Sequence, residues 1–259
     1  HVAECQHTTV FYSTRVVGIM ADEHAVFVSL KSAQESINLR AKLVIGADGG
    51  HSSVRQLLNM TQHRTDYAQS AIVTTITTSR PHQNVAYERF TSSGPLALLP
   101  LGTHQCAVVW TRKGDDAQTL LQGSEEAFIN ELQQCFGYRL GALRLDAPRH
   151  AFPLSLIRAA EIVANRAVII GNAAHQLHPV AGQGFNLGLR DVMALAAMIV
   201  AQRDKDIGAP EFLASYAKKR ESDQARTIQF TDTLVHIFSN DWLALTAVRN
   251  LGLTLLDTL

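Results

Sequence analysis

The stretch VIIGNAAHQLHPVAGQGFNLGLRD, residues 168–191, is dense in groups able to hold a ligand. An apolar burst ends at Gly171, irregular residues follow, and Gly182, Gly184 and Gly188 then open a segment of helical periodicity. The first turn of a helix presents unpaired N–H groups and a partial positive charge, which suit a flat or anionic ligand. Glycines leave those donors approachable. Asn172, at the end of the apolar burst, can both donate and accept hydrogen bonds. Pro179 stiffens the approach. The spacing does not suit the usual dinucleotide fingerprint, in which the glycines follow the strand almost directly. Taken alone, the cluster is equally consistent with glycines that only shape a turn.

A second such end is VIGADGGHSSVRQ, residues 44–56. Its strand stops at Ala47, Asp48-Gly49 begins a turn, and Ser52, Ser53 and Arg55 open a short helix. An ordinary Asp-Gly turn with a serine cap accounts for this stretch by itself. His175 and His178 stand three apart, a spacing that can put two metal ligands on one helix face. Pro179 follows at once and no third ligand is evident, so no metal is expected. Trp110 and Trp242 are read as core or interface residues.

These segments need strands and helices to carry them. The start of the chain reads as short strands, TTVFYSTRVVGIM, HAVFVSLKS and ESINLRAKLVIGADGG, each closed by a turn signal. Residues 42–47 are nearly all apolar, as in a strand buried on both faces of a parallel sheet. Residues 71–113 alternate in polarity and suit antiparallel strands with one solvated face. Ser124 caps a helix over EEAFINELQQCFG, whose first-turn acids favour the positive helix end. RHAFPLSLIRAAEIV is again extended, and RAVIIGNAA is a second buried strand. From Gly184 the pattern is helical, with Phe185, Leu189, Val192, Ala196 and Ile199 at helix spacing. The last fifty residues also read as helical, and NDWLALTAVRNLGLTLLDTL is amphipathic. An α/β nucleotide-binding layer interrupted by a second, antiparallel domain is the expected arrangement.

Composition narrows the classes. Lys plus Arg and Asp plus Glu both number 23, so no net charge attracts nucleic acid. Cys5, Cys106 and Cys135 form no CxxC pair and read as reduced thiols, consistent with a cytoplasmic protein. No apolar run of membrane-spanning length is expected.

Together the two glycine segments resemble the paired motifs of the class A flavoprotein monooxygenases. Asp48-Gly49 resembles that family's Asp-Gly motif. Gly171, Ala173, Ala174, His175, Pro179, Gly182, Gln183 and Gly184 resemble its G-D-A-A-H-x-x-x-P-x-x-G-Q-G motif, with Asn172 in the place of the aspartate. ERFTSSGPLALLPL, AFPL and TDTLVHIF narrow the likeness to the ubiquinone-biosynthesis hydroxylases. The resemblance implies an FAD-binding domain of the glutathione-reductase type in two parts, residues 1–66 and 161–259, the latter with C-terminal helices. A mainly antiparallel substrate domain over 67–160 would roof the substrate pocket. It implies FAD contacts from Asp48, Gly49, Gly171, Asn172, Pro179, Gly182, Gln183, Gly184 and Asn186. Asn172 would reach the ribityl or phosphate region, and the helix start would face the pyrimidine edge. A helix end stabilises negative charge there by about 0.3–1 kcal/mol, or ~2 when partly buried.

The implied reaction is aromatic hydroxylation of a prenylated phenol: NAD(P)H reduces the flavin, oxygen adds as a C4a-hydroperoxide, and its distal oxygen passes to the ring. No acid–base dyad is implied; His175 is the polar candidate near the flavin, beside a structural role. Such a substrate implies contact with the inner membrane face or a biosynthetic complex, for which the C-terminal stretch is a candidate. A flavin-dependent halogenase of the same fold would carry W-x-W-x-I-P, which neither Trp110 nor Trp242 supplies. A non-catalytic binding subunit is the alternative from another class. The family's first motif, G-x-G-x-x-G, has no counterpart here. The expectation is therefore a fragment that holds no FAD by itself and exposes an apolar edge.

Overall fold

The computed structural model describes residues 4–91, 93–179, 182–202 and 204–238, and side chains up to residue 233. In chain order the strands and helices begin with β1 (Arg15–Ala21), β2 (Val26–Lys31), β3 (Ser36–Ala41), β4 (Val44–Gly46) and α1 (Ser53–Leu57). Then come β5 (Gln62–Thr78), β6 (Tyr87–Thr91), β7 (Gly94–Gly102), β8 (Gln105–Lys113), α2 (Gly114–Gln122) and α3 (Glu125–Phe136). The chain continues through β9 (Leu143–Leu145), β10 (His150–Ala159), β11 (Val163–Ala164), β12 (Ala167–Ile169) and β13 (His175–Gln176). It ends in α4 (Gln183–Ala201) and α5 (Pro210–Phe238). The described residues fall into two compact units. One holds residues up to 64 with 157–177 and 182–227; the other holds 65–156, 178–179 and 228–238. The amphipathic stretch over 240–259, with Trp242, lies outside the described residues.

In the first unit β1, β2 and β3 form an antiparallel meander, and Val26, Val28 and Leu30 of β2 alternate into a small core. A second sheet has the order β11-β12-β4. Within it β4 and β12 are parallel, pairing Val44 with Ala167, Ile45 with Val168 and Gly46 with Ile169. The two motif strands therefore lie side by side and end on the same side, as their apolar character suggests. Their burial differs from expectation. All of β12 is buried, but Ile45 of β4 is 44% exposed, because β4 ends the strand order and nothing among the described residues covers that side chain.

The helix α4 also corrects the sequence reading. It is 19 residues long with a mean hydropathy of 1.4, enough by length and composition to cross a membrane. Asn186, Arg190 and Asp191 interrupt the run when read along the chain. On the helix they leave one apolar face, and Phe185, Leu189, Val192, Met193 and Val200 are exposed. The stripe of residues 185, 189, 192 and 196 thus points outward. The buried side carries Leu187, Asp191 and Leu195, and Leu195 packs with Val168, Ile170, Phe212, Leu213 and Tyr216.

The second unit is built on antiparallel strands in the order β10-β5-β8-β7-β6, with β9 also pairing β5. Ile72, Ile76, Leu96, Leu98, Cys106, Val108 and Trp110 line one face, covered by Ala117 and Leu120 of α2 and Phe128, Leu132 and Phe136 of α3. Ser124 caps α3 by accepting from Ala127 N–H at 3.1 Å. The other face is less solvated than its alternation implies: Ala71 and Thr111 are buried, and Val73, Ala97 and Val109 half-buried. Beyond this unit β10 continues, and Ile157 and Arg158 pair with Gln176 and His175 of β13.

His178 is 1% exposed in the second unit, with its ring edge-on to Tyr67 at 5.3 Å. Burial pulls its imidazole down to about 4 from the ordinary 6.5. The unfolded chain therefore binds the extra proton first as pH falls. Stability held above pH 6.5 drains away between 6.5 and 4, by about 3 kcal/mol. Urea denaturation should show this acid loss in the native protein and a smaller one in His178→Phe. Equal losses would mean that other groups drive the effect.

Candidate cofactor-binding site

The parallel pair β4 and β12 delivers two turns to one edge, and the chemistry of the first unit gathers there. After β4, Asp48 Oδ2 accepts Val54 N–H at 3.0 Å, and Ser52 Oγ accepts Arg55 N–H at 2.9 Å. Both therefore cap the start of α1. The Arg55 side chain is 3% exposed and turns inward. Its Nη1 donates to Ala173 O at 2.7 Å and its Nη2 to Gly50 O at 2.8 Å. One guanidinium thus ties the turn after β4 to the turn after β12. Burial lowers the Arg55 pKa, and the nearby Asp48 opposes that shift.

After β12 a single 3-10 turn runs over Gly171–Ala173, with Gly171 in the left-handed region at φ 57°. A Cβ added at Gly188 of α4 would stand 3.3 Å from Gly171 Cα, so α4 and this turn approach almost backbone to backbone. Beside them lies a cavity of about 370 Å³, within the range of small-ligand sites. Gly49, Gly171 and Asn172 line it, with Ala47, Ile170, Phe185, Gly188, Leu189 and Val192. Its walls are apolar apart from main-chain groups and the Asn172 amide. Gly182 precedes α4 with φ 60° and supplies no capping side chain, and the first turn holds no acid.

Of the residues named from sequence, three line the cavity: Gly49, Gly171 and Asn172. Asp48 stands beside Gly49 with its carboxylate engaged at α1. Gly182, Gln183, Gly184 and Asn186 form the start of α4, where Asn186 is exposed, and Pro179 belongs to the second unit. His175 is 1% exposed and its Nε2 lies 2.6 Å from Asp191 Oδ2, so it is buried in a polar cluster and does not line the cavity. His175 and His178 belong to different units, and no group of metal-ligating side chains occurs among the described residues. Sequence reasoning gave no site role to Gly188, Phe185, Leu189 and Val192. Their signal was present, as the third glycine of the cluster and as an apolar stripe that turns outward.

A strand pair ending in glycine turns beside an uncapped helix start is an arrangement that suits a nucleotide cofactor. The family model described as FAD binding domain matches residues 1–231, and the chain belongs to that family. Among its relatives, ubiquinone hydroxylase UbiL of Rhodospirillum rubrum is 39% identical over 247 residues, covering 95% of this chain and 57% of that protein. The human mitochondrial ubiquinone biosynthesis monooxygenase COQ6 is 34% identical over 250 residues, covering 83% of this chain and 53% of that one. The chain thus spans little more than half the length of these relatives. In fold it resembles PqsL of Pseudomonas aeruginosa, described as a probable FAD-dependent monooxygenase, with a TM-score of 0.72 at 23% identity. That match covers 87% of this chain and 64% of PqsL. It also resembles p-nitrophenol 4-monooxygenase PnpA of Pseudomonas putida, with a TM-score of 0.72 at 20% identity over 92% of this chain and 61% of PnpA.

Removing the Arg55 clamp should loosen both turns. Arg55→Met leaves two carbonyls without their charged donor and is expected to cost about 2–4 kcal/mol in urea denaturation. Arg55→Lys should recover little, because a single ammonium lacks the planar fork that spans both carbonyls. Full recovery by lysine would reduce the clamp to its charge.

Proposed function

We propose that the cavity beside Asn172 takes the flavin end of FAD, and that the whole protein is an FAD-dependent hydroxylase of a prenylated phenol in ubiquinone biosynthesis. The observation that carries this reading is the meeting of Gly49, Gly171 and Asn172 on one cavity wall, at the carboxyl ends of a parallel strand pair. The relatives' names support a substrate in ubiquinone biosynthesis, and hydroxylation of a 2-octaprenyl-6-methoxyphenol is the specific activity proposed. NAD(P)H is the proposed reductant and oxygen the co-substrate. The glutathione-reductase type of domain, with the antiparallel second unit as substrate domain, belongs to the same reading. So does a cytoplasmic location at the inner membrane face.

The residues present fit the ring system. Phe185, Leu189 and Val192 offer apolar contact to a flat ring, the Gly171–Gly188 approach removes side chains from its path, and Asn172 offers an amide to a polar edge. Bound there, the flavin supplies two-electron reduction by a nicotinamide and activation of oxygen toward an electron-rich ring. The chain's own contribution is to bind and orient. The start of α4 directs N–H groups and its dipole toward negative charge. The apolar wall would exclude water from the side of the ring that it covers. The chain contains no G-x-G-x-x-G, so no adenosine–pyrophosphate turn of that kind is present, and the chain alone should hold FAD poorly.

Two measurements test this reading. The whole protein, assayed with FAD, NAD(P)H and defined prenylphenols, should yield a hydroxylated ring; bound flavin without product would favour another flavin reaction, and no flavin at all a binding subunit. A Cβ at Gly184 meets nothing within 4 Å, so Gly184→Val should fold normally. Its bulk at the helix start should nevertheless lower FAD affinity at least about tenfold, or 1.4 kcal/mol. Flavin content equal to that of the native protein would remove the start of α4 from the site.

A further inference from the structure

Asp191 lies on the buried side of α4 and is 0% exposed. Its two oxygens serve different partners. Oδ2 accepts Gly171 N–H at 3.0 Å and stands 2.6 Å from His175 Nε2. Gly171 opens the turn after β12 and His175 follows that turn, so one oxygen grips it at both ends. Oδ1 instead accepts from α5, from Arg220 Nε at 2.7 Å and Gln224 Nε2 at 3.1 Å. A carboxylate is planar and rigid, so the direction of Oδ2 follows from where Oδ1 is held. Burial pushes the Asp191 carboxyl up, but His175, Arg220 and the Gly171 amide outweigh it and hold the group below the usual carboxylate range. It is therefore charged and accepts at both oxygens. His175 Nδ1 is buried and has no hydrogen bond among the described residues, which leaves Asp191 as the anchor of that ring there.

The far side of the cluster is also fixed. Asp223 Oδ2 lies 2.7 Å from Arg220 Nη2 and 2.9 Å from Arg190 Nε, and Arg190 Nη2 donates to Thr227 Oγ1 at 3.0 Å. Arg190–Asp223 thus adds a second ion pair between α4 and α5 beside that of Asp191 with Arg220. We propose that Arg220 and Gln224 are positioning residues for the cofactor turn: acting through Asp191, they set the direction in which Gly171 and Asn172 meet the cavity. Neither lines the cavity, and neither lies in the glycine motifs. The consequence for FAD rests on the reading of the cavity given above; the effect on the turn does not.

The test compares Arg220→Met with Leu195→Ala, a core change in the same pair of helices that leaves Asp191 untouched. Amide exchange at Gly171, measured without cofactor under conditions where both variants are folded, reads the turn directly. Arg220→Met should speed that exchange at least about tenfold relative to Leu195→Ala and shift the His175 imidazole resonances, and Arg220→Lys should restore part of the protection. In the whole protein, Arg220→Met should also weaken FAD about tenfold or more. Equal Gly171 exchange in Arg220→Met and Leu195→Ala overturns the proposal. Faster exchange with unchanged FAD affinity keeps the positioning role and instead refutes the reading of the cavity. If Arg220→Met does not fold, Gln224→Met removes one donor and no charge; it should move Gly171 exchange in the same direction, and no movement overturns the proposal.

Discussion

Three residue pairs hold the candidate site together: Val44, Ile45 and Gly46 lie parallel to Ala167, Val168 and Ile169. These segments are more than a hundred residues apart in sequence, with the whole antiparallel sheet of the second unit between them. A parallel pairing of this kind cannot be closed by a hairpin and carries the loop-closure cost of the long chain between its strands. Once it forms, both following turns emerge from the same edge, and the short strands suffice because β12 is buried on both faces. Gly46 is part of that fit. A Cβ there would come within 2.9 Å of the Ile169 and Val54 side chains, so the strand must carry glycine for the pair to close.

Buried guanidinium groups then fasten what the short strands cannot. Arg55 bridges the two turns at the carboxyl ends of β4 and β12. At their opposite ends Arg166, 2% exposed, donates to the carbonyls of Lys42 and Glu23 and pairs with Asp206 at 2.5 Å. Arg220 does the same work for α4 and α5 through Asp191. A planar fork with several donors can satisfy main-chain carbonyls that no neighbouring strand reaches, which lysine cannot do. In the first unit the sheet β11-β12-β4 is thus braced by buried arginines beside its apolar contacts, whereas the second unit relies on an apolar core around Trp110. There the arginines lie over rings, Arg112 at 5.0 Å from Trp110 and Arg149 at 5.3 Å from Phe128.

The helix α4 shows why burial has to be read in three dimensions. Its outward face is as apolar as a core stripe, with Phe185, Leu189 and Val192 along it and the cavity at its foot. Its inward face holds a charged aspartate. The inversion is stable because four donors surround the carboxylate, so the charge costs less inside than its composition suggests.

Much of the architecture was legible in the residues themselves. Strand and helix positions follow from local patterns: the Ser124 cap, the Ser52 cap, the apolar runs around Val44 and Val168, and the glycines ahead of α4. The pairing of the two motif strands was legible too, because both are apolar runs ending in polar turns. Local sequence could not say which side of a helix faces inward, since Phe185, Leu189 and Val192 have the spacing of a core stripe and lie outside. Nor could it assign Arg55, Arg220 or Asp191, since a charged residue looks the same whether solvated or buried. Its role depends on partners brought from distant parts of the chain, such as Ala173 for Arg55 and Gly171 for Asp191. Periodicity and capping are decided over a few neighbouring residues and survive in the sequence; desolvation and long-range hydrogen bonding exist only after the chain has packed, and the tertiary structure alone decides them.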